Sequence, residues 1–205
     1  MLTKPDHNAE TITEISNGSK SLDEAVLWDN FKNGNELAFS ILYKRYVQRL
    51  YNYGMHNCRD KDLVLDCIQE LFTHLWERRE TVSSVGSVNF YLLKSYRRLV
   101  ASKIATQKKF FTPFPKNSPS HFEFIPSVEQ FLIDGELKSQ QAEGLRNGMK
   151  ALSKRQREAL FLKFFNELSY HEVASIMEVR VDSVYNLISK AIDILRHKLK
   201  RRTVF

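Results

Sequence analysis

The stretch LSYHEVASIMEVRVDSVYNLISKAIDIL, residues 168–195, carries the most specific structural signal in this chain. Ser169 and Glu172 have the spacing of a capping box, which begins a helix by satisfying its first backbone N–H groups. Ala174 is small enough for a second helix to cross closely at a steep angle. The inward positions are Val173 and Met177 on the first helix, and Val184, Leu187 and Ile188 on the second. The spacing predicts a helix-turn-helix; two packed helices without a function are the alternative.

The turn between these helices falls at Glu178 and Val179. Glycine is common at such a turn because the backbone there is left-handed. A residue with a Cβ pays about 1 kcal/mol for that conformation. The turn is therefore tolerated at Glu178, and the prediction of a helix-turn-helix stands.

A second helix that enters a DNA major groove would turn its outward residues toward base edges. Asn186 has the geometry to pair bidentately with adenine, whereas Arg180 and Lys190 suit phosphates. The outward positions near the start of the helix are Asp182, Ser183, Tyr185, Asn186 and Ser189, with Lys190 one turn on. Asp182 fits the helix dipole better than DNA. The tail RHKLKRR, residues 196–202, either grips the DNA backbone or is a solvated terminus.

Charge is concentrated in this same part of the chain. The net charge is +7, and residues 146–202 alone contain 13 Lys/Arg against 6 Asp/Glu. A concentrated basic block is the electrostatic footprint of a nucleic-acid-binding protein. Long stretches with apolar residues every three or four positions, together with only 7 glycines among 205 residues, predict an all-α protein.

Several classes of protein are disfavoured by what the sequence lacks. Cys58 and Cys67 do not form a disulfide framework, and no apolar run approaches the roughly 20 residues of a membrane span. His56 and Cys58 have no further ligands at metal spacing. The sequence shows no nucleotide-binding glycine loop and no catalytic triad signature. We therefore expect a cytoplasmic protein with no catalytic residue, no metal, no cofactor and no small-molecule substrate.

The pattern divides the chain into two small helical domains. Residues 1–20 are polar and predicted to be disordered. Residues 21–106 form the first domain. This domain begins with a capping box at Ser21 and Glu24, followed by a helix with Ala25, Val26 and Trp28. Residues 107–135 form a linker rich in Pro and Phe, because residues 110–127 hold four of the five prolines. Residues 136–205 form the second domain. Its helix at residues 152–165 is apolar on more than one face, which indicates burial on two sides or a partner-binding patch.

Two helices of the first domain carry unusual surfaces. The third, predicted from about Asp60 to Glu80, has an inward stripe of Val64, Cys67, Ile68, Leu71 and Leu75 opposite an acidic one. The acidic stripe suits a basic protein partner, or is a solvated face. The fourth, residues 89–106, interleaves Phe90, Tyr91 and Tyr96 with Lys94, Arg97, Arg98 and Lys103. Aromatic rings between cations are typical of single-strand binding, although Phe90 and Leu93 could equally be core.

The chain resembles the extracytoplasmic-function sigma factors, two-domain members of the bacterial sigma-70 superfamily. The first domain resembles sigma region 2 through AFSILYKRYVQRLY (residues 38–51), DCIQELFTHLW (66–76) and FYLLKSYRRL (90–99). The second resembles region 4 over residues 152–199. The chain departs from the family where Tyr91 replaces a frequent tryptophan, Arg98 a frequent asparagine, and Tyr185 and Leu187 frequent basic residues. The usual −35 sequence is therefore not assumed.

The resemblance implies a set of partners and the residues that bind them. Core RNA polymerase would bind Asp66, Gln69, Glu70 and Glu77. The melted −10 element would bind Ser84, Asn89, Tyr91, Lys94, Arg97 and Arg98. The duplex −35 element would bind Arg180, Ser183, Tyr185, Asn186, Ser189 and Lys190. A cognate anti-sigma factor, which in this family is often held at the inner membrane, would be a further partner.

Other functions fit this sequence less well. A helix-turn-helix regulator that binds duplex operators without core polymerase leaves the acidic stripe and the aromatic-basic helix unexplained. A DNA-modifying enzyme would need acidic metal ligands in a cleft, and none is clearly placed. A purely protein-binding role, such as that of an anti-sigma factor, fits poorly with the basic second domain.

Overall fold

The computed structural model describes residues 24–58, 60–110, 145 and 147–200, and in that part of the chain it contains helices and loops but no strand. The amino-terminal bundle consists of α1 (Glu24–Lys32), α2 (Glu36–Asn57), α3 (Lys61–Glu77) and α4 (Val88–Phe110). The carboxy-terminal helices are α5 (Lys154–Leu160), a π-helical segment (Phe161–Phe165), α6 (Tyr170–Met177) and α7 (Val181–Lys200). The all-α prediction is confirmed.

Short polar residues set the starts of the bundle helices. Asn35 caps α2, accepting from the backbone N of Ala38, and Asp60 caps α3, accepting from the backbone N of Leu63 at 3.0 Å. In the bundle, α2, α3 and α4 pack against one another, and α1 packs on α2. The predicted inward stripe of α3 is confirmed, since all five of its residues are buried.

Because glycine is common at helix ends, the sequence predicts that the second helix ends near Gly54, and this prediction is wrong. The helix continues to Asn57, and Gly54 lies inside it facing α4. A Cβ added at Gly54 would lie 2.2 Å from the hydroxyl oxygen of Tyr96 and 2.9 Å from a methyl of Val64. The glycine is therefore required by the close approach of two helices, and the sequence alone does not separate that role from helix termination.

The first helix buries only part of the expected set: Trp28 is buried as predicted, but Ala25 and Val26 are not. Leu27, Trp28 and Phe31 are buried, whereas Ala25 and Val26 are exposed. The carboxylate of Glu24 accepts from the Tyr46 hydroxyl and from the backbone N of Val88, which ties α1 to α2 and α4. Ser21 of the predicted capping box, like the predicted disordered segment 1–20, lies outside the described residues.

The fourth helix is longer than predicted. It begins at Val88 and reaches Phe110, so it enters the first residues of the segment assigned to the linker. The remainder of that segment lies outside the described residues, as does the predicted start of the second domain at residue 136.

The helix-turn-helix is present with the predicted details. Ser169 and Glu172 form the capping box of α6, and Ala174 and Val184 are buried where α6 and α7 pack together. Glu178 ends α6 with φ 55° and ψ 49°, the left-handed conformation expected there. The prediction is confirmed because capping and helix crossing are both local consequences of the sequence.

The helix expected over residues 152–165 is present, although its second half is not an ordinary α-helix. It begins at Lys154 and widens into a π turn over Phe161–Phe165. Asn166 closes the turn, because its buried side chain and its backbone N both donate to the Phe161 carbonyl. Phe161 and Leu162 are buried, whereas Phe164 is 55% exposed.

Candidate functional site

An open groove runs between α2 and α3 on the outside of the bundle. It has a volume of about 550 Å³ and is lined by Phe39, Tyr43, Leu65, Ile68, Gln69, Phe72, Thr73, Trp76 and Glu77. Leu65 and Tyr43 are 43% and 40% exposed, which is unusual for such large apolar side chains. Apolar side chains in a groove with an acidic rim suit a protein partner that presents basic and apolar residues together.

The four residues predicted to bind polymerase do not share one environment. Gln69 and Glu77 line the groove, and Asp66 is exposed on the same helix. Glu70 instead faces α4, where its carboxylate lies 2.6 Å from the ammonium nitrogen of Lys103. Tyr43 and Leu65 could not be predicted from the sequence, because an apolar residue in a helical pattern is assigned to the core by default.

A second recess lies at the start of α4 and the loop before it. Its volume is about 350 Å³, and its lining is Val85, Gly86, Ser87, Phe90, Tyr91, Lys94, Ser95 and Arg98. It therefore brings together Tyr91, Lys94 and Arg98 from the predicted −10 set. The ammonium of Lys94 lies 5.2 Å from the centre of the Phe90 ring. Aromatic faces beside cations can stack bases and follow a phosphate backbone.

Ser84 and Tyr96 lie outside this recess. The Ser84 hydroxyl accepts from Lys32 at 3.4 Å on the exposed side of the loop. Tyr96, expected among the stacking aromatics, is fully buried and donates to the Val64 carbonyl at 3.2 Å. Its expected place on a nucleic-acid surface is wrong, because the bundle covers that face of α4.

The other face of α4 contacts the carboxy-terminal helices. Asn89 donates to the Asn166 carbonyl at 2.7 Å, and Lys94 donates to the Ser175 hydroxyl at 2.9 Å. Arg97 lies 3.3 Å from one carboxylate oxygen of Glu158 and 3.6 Å from one of Glu178. Three residues of the predicted −10 set are thus engaged within the chain.

An apolar contact lies beside these polar ones. The Phe161 ring stacks on Tyr53 with 6.2 Å between centroids and lies 4.3 Å from the ring of His56. The Tyr53 hydroxyl donates to Glu158 at 2.9 Å. Burial, reinforced by the Glu158 carboxylate, raises the pKa of Tyr53 well above its usual range, so Tyr53 remains a neutral donor.

The exposed face of α7 carries the predicted −35 residues. Arg180, Tyr185, Asn186, Ser189 and Lys190 are exposed, and Ser183 is half-buried. The Tyr185 ring stacks on Tyr170 at the start of α6, with 3.9 Å between centroids. Tyr170 was not among the predicted residues, because its role depends on how α6 and α7 cross.

The part of the chain that the structure describes also bears on metal binding, cysteine reactivity and membrane insertion. No group of three or more His, Cys, Asp or Glu residues there could hold a metal ion. Cys58 and Cys67 are free thiols, and burial raises the pKa of Cys67 to about 11. None of the helices described is both long enough and apolar enough to cross a membrane.

Two family profiles match the chain in the order of its helical groups. Sigma-70 region 2 matches residues 42–110, and Sigma-70, region 4 matches residues 143–195. The first match contains the recess and all of the groove except Phe39, and the second contains the helix-turn-helix. The chain belongs to the sigma-70 family of RNA polymerase sigma factors.

Relatives along most of the chain narrow this assignment. The ECF RNA polymerase sigma-E factor of Escherichia coli (strain K12) is 26% identical over 193 residues, which is 89% of this chain and 97% of that protein. RNA polymerase sigma factor YlaC of Bacillus subtilis (strain 168) is 23% identical over 151 residues, 73% of this chain and 85% of that protein. The chain is an extracytoplasmic-function sigma factor, acting in promoter-directed transcription initiation.

Two solved structures share the fold. CnrH in complex with the cytosolic domain of CnrY matches with a TM-score of 0.55 and 16% identity, over 87% of this chain and 98% of that one. The sigma factor RpoE in complex with the anti-sigma factor NepR from Bartonella quintana matches with a TM-score of 0.52 and 18% identity, over 79% and 96%. At these identities the likeness concerns the fold alone.

Proposed function

We propose that the groove beside α3 binds core RNA polymerase, that the recess at the start of α4 binds the melted −10 strand, and that α7 reads the −35 duplex. The observation that carries this proposal is the groove, because Leu65 and Tyr43 are exposed beside Gln69 and Glu77. A duplex-binding regulator has no use for such a surface. Asp66 extends it on the exposed side of α3.

The polymerase contact combines two kinds of interaction. The carboxylates of Asp66 and Glu77 favour basic groups and guide the approach of the partner. Leu65 and Tyr43 then add apolar area that becomes buried on binding. Glu70 has a different role. Its ion pair with Lys103 holds α3 against α4, and this fixes the position of the groove relative to the recess.

The two DNA contacts differ in what they read. At the recess, Tyr91 stacks on an unpaired base while Arg98 and Lys94 neutralise phosphates. On α7, Asn186 and Tyr185 face base edges, and Arg180 and Lys190 hold the phosphates on either side. Tyr170 supports Tyr185 by stacking beneath it, so the direction of that ring is set before DNA binds.

We also propose a protein partner and a cellular location for this chain. Because the RpoE neighbour is in complex with the anti-sigma factor NepR and CnrH with the cytosolic domain of CnrY, an anti-sigma factor is a natural partner of this chain as well. The chain acts in the cytoplasm beside RNA polymerase. It contributes promoter selection and strand opening, and the catalysis belongs to the polymerase.

The test is transcription with purified core polymerase on genomic fragments, followed by mapping of the start sites. We expect the chain to direct initiation at discrete promoters, and Asp66→Lys to lower polymerase binding in a pull-down by about 5- to 10-fold. Asp29→Lys, an equal charge change at an exposed position of α1, is the matched control. Unchanged binding of Asp66→Lys would contradict the polymerase surface; operator binding without any dependence on polymerase would favour a regulator.

A further inference from the structure

An exposed tyrosine on α7 is held in position by residues outside that helix. Tyr185 is 52% exposed, yet its ring stacks on Tyr170 with 3.9 Å between centroids and 16° between planes. Tyr170 is the first residue of α6, and the ammonium of Lys163 lies 4.9 Å from the centre of its ring. Lys163 also donates to the Leu168 carbonyl at 3.0 Å, which limits the movement of that ammonium. The position of Tyr185 is therefore set by packing, although the residue is exposed.

The stack orders a ring that would otherwise rotate in solvent. An exposed side chain loses rotamer freedom when it binds a ligand, and that loss weakens binding. Stacking on Tyr170 removes part of this freedom before DNA arrives. Because Tyr170 covers one face of the Tyr185 ring, a ligand meets the other face and the ring edge, which are apolar. Tyr185 thus presents an ordered apolar surface next to Asn186.

The charges around Tyr185 do not suit a phosphate. On a helix, the neighbours on one face lie three and four residues away. The exposed neighbours of Tyr185 at this spacing are Asp182 and Ser189. The carboxylate of Asp182 repels phosphate oxygens, whereas Arg180 and Lys190 each lie five residues from Tyr185 and on other parts of the helix surface. Tyr185 is therefore better placed for base edges than for the DNA backbone.

Thymine is the base with an apolar group in the major groove. Guanine presents two acceptors there, cytosine an amino donor, adenine an acceptor and a donor, and thymine an acceptor with a C5-methyl group. A tyrosine carries no cation, so Tyr185 cannot give guanine the bidentate hydrogen bonds that arginine gives. The group on DNA that matches an exposed apolar ring is the methyl group of thymine.

We propose that Tyr185 recognises the C5-methyl group of a thymine in the −35 duplex, and that Tyr170 is a positioning residue that holds the Tyr185 ring for this contact. This inference rests on the proposed binding of α7 to the −35 element, and it adds the chemical group that one residue recognises. Because the contact is apolar, it does not need the Tyr185 hydroxyl.

The test uses holoenzyme, assembled from core polymerase and the full-length chain, on a mapped promoter duplex. Each thymine of the −35 element is replaced in turn by uracil, which pairs like thymine but lacks the C5-methyl group. Fluorescence anisotropy should show one position where uracil lowers the affinity of the wild type about fourfold, the effect of one buried carbon group. Tyr185→Ala should bind both duplexes equally at that position. If no position is sensitive to uracil, or if Tyr185→Ala keeps every sensitivity of the wild type, the proposal is overturned.

Three further variants make the result specific. Tyr185→Phe removes only the hydroxyl and should keep the fourfold preference for thymine; loss of the preference would overturn the apolar contact. Tyr170→Leu removes the supporting ring and should reduce the preference to about twofold, because the Tyr185 ring is no longer ordered. A merely structural role of Tyr170 would weaken binding to both duplexes equally, so an unchanged preference would overturn its positioning role.

The third variant, Phe164→Ala, is the matched control, because it removes a ring that is 55% exposed and lies outside α7. It should keep the preference for thymine at the wild-type value. A loss of preference in Phe164→Ala would show that removal of any exposed ring in these helices changes the readout, and the assignment to Tyr185 would fall.

Failure of the methyl contact and failure of the −35 assignment can be told apart on the same promoter. If uracil has no effect but Arg180→Ala and Asn186→Ala still weaken binding, α7 lies on the −35 element and the methyl contact alone is wrong. If neither variant weakens binding, the assignment of α7 to the −35 element is wrong, and the methyl contact is wrong with it.

Discussion

Two turns between the carboxy-terminal helices each contain a residue with a strained backbone. Glu167 and Glu178 both have φ 55°, a region in which a Cβ crowds the following carbonyl. Glu178 also pairs with Arg97, so its strain is offset by a contact. Glu167 is exposed on the loop before α6.

Glycine at position 167 is therefore expected to stabilise the protein. Glu167→Gly should raise the free energy of unfolding by up to about 1 kcal/mol, because removal of the Cβ relieves the left-handed strain. Urea denaturation monitored by circular dichroism measures the change. Glu167→Ala keeps the Cβ but removes the carboxylate, and it should leave the free energy unchanged; an equal gain with alanine would exclude strain as the cause.

His56 makes stability depend on pH at a single residue. Burial lowers its pKa below 6.5, and the nearby Arg157 lowers it further. The unfolded chain therefore binds a proton more readily, so His56 contributes stability that is present above about pH 6.5 and is lost as the pH falls through its folded pKa. Unfolding in urea should need less denaturant at about pH 5.5 than at 7.5.

His56→Gln removes the titrating group from this site. Its unfolding midpoint should change less between the same two pH values, and the difference between the variant and the wild type isolates His56 from the other titrating groups. An identical pH dependence in the two proteins would contradict the assignment.

At the scale of elements, the helix-turn-helix depends on how closely α6 and α7 pack. Ala174 is 4% exposed and Val184 is fully buried in this region. Ala174→Leu should destabilise the protein by about 1–3 kcal/mol, because the added carbons overfill a packed interface. The duplex affinity of the −35 surface should fall with it, since α7 loses its position. His171→Leu places leucine on the exposed face of α6 and should do neither; equal losses would point to a general effect of leucine.

The sequence predicted the inward stripe of α3 and the helix-turn-helix well because these features follow from local spacing. The α3 stripe from Val64 to Leu75 and the Ser169–Glu172 capping box were both read correctly. The sequence did not predict which elements cover the outer faces of the helices. The mixture of aromatic and basic residues on α4 looks like one nucleic-acid surface, yet Tyr96 belongs to the bundle core and Arg97 to a contact with residues far along the chain. Sequence periodicity shows which face of a helix is apolar, but only tertiary packing decides which element covers each face.

At the scale of the whole molecule, the two DNA surfaces should respond differently to salt. Release of counterions from single strands contributes a slope of about 0.7 per phosphate contact, and release from duplex DNA about 0.9. Arg98→Ala should lower the salt slope of holoenzyme binding to a mapped promoter by about 0.7, and Arg180→Ala by about 0.9. Fluorescence anisotropy over a series of salt concentrations gives both slopes.

Arg49→Ala is the control for these slopes, because Arg49 is exposed on α2 and outside both proposed surfaces. It should leave the slope at its wild-type value. An Arg98→Ala slope equal to that of the wild type would remove Arg98 from the strand surface, and a changed Arg49→Ala slope would show that DNA also crosses α2.

The π turn over Phe161–Phe165 determines how the protein would respond to the deletion of one residue in this segment. A π turn holds an extra residue compared with an α turn, so a single codon lost from this segment would restore an ordinary helix without breaking it. The rewinding would turn the residues after the deletion by roughly 100° around the helix axis relative to Phe161. A chain with such a deletion would keep the helices of its helix-turn-helix but place them differently against α4, so one mutational step in this segment would alter the contact between the two groups of helices.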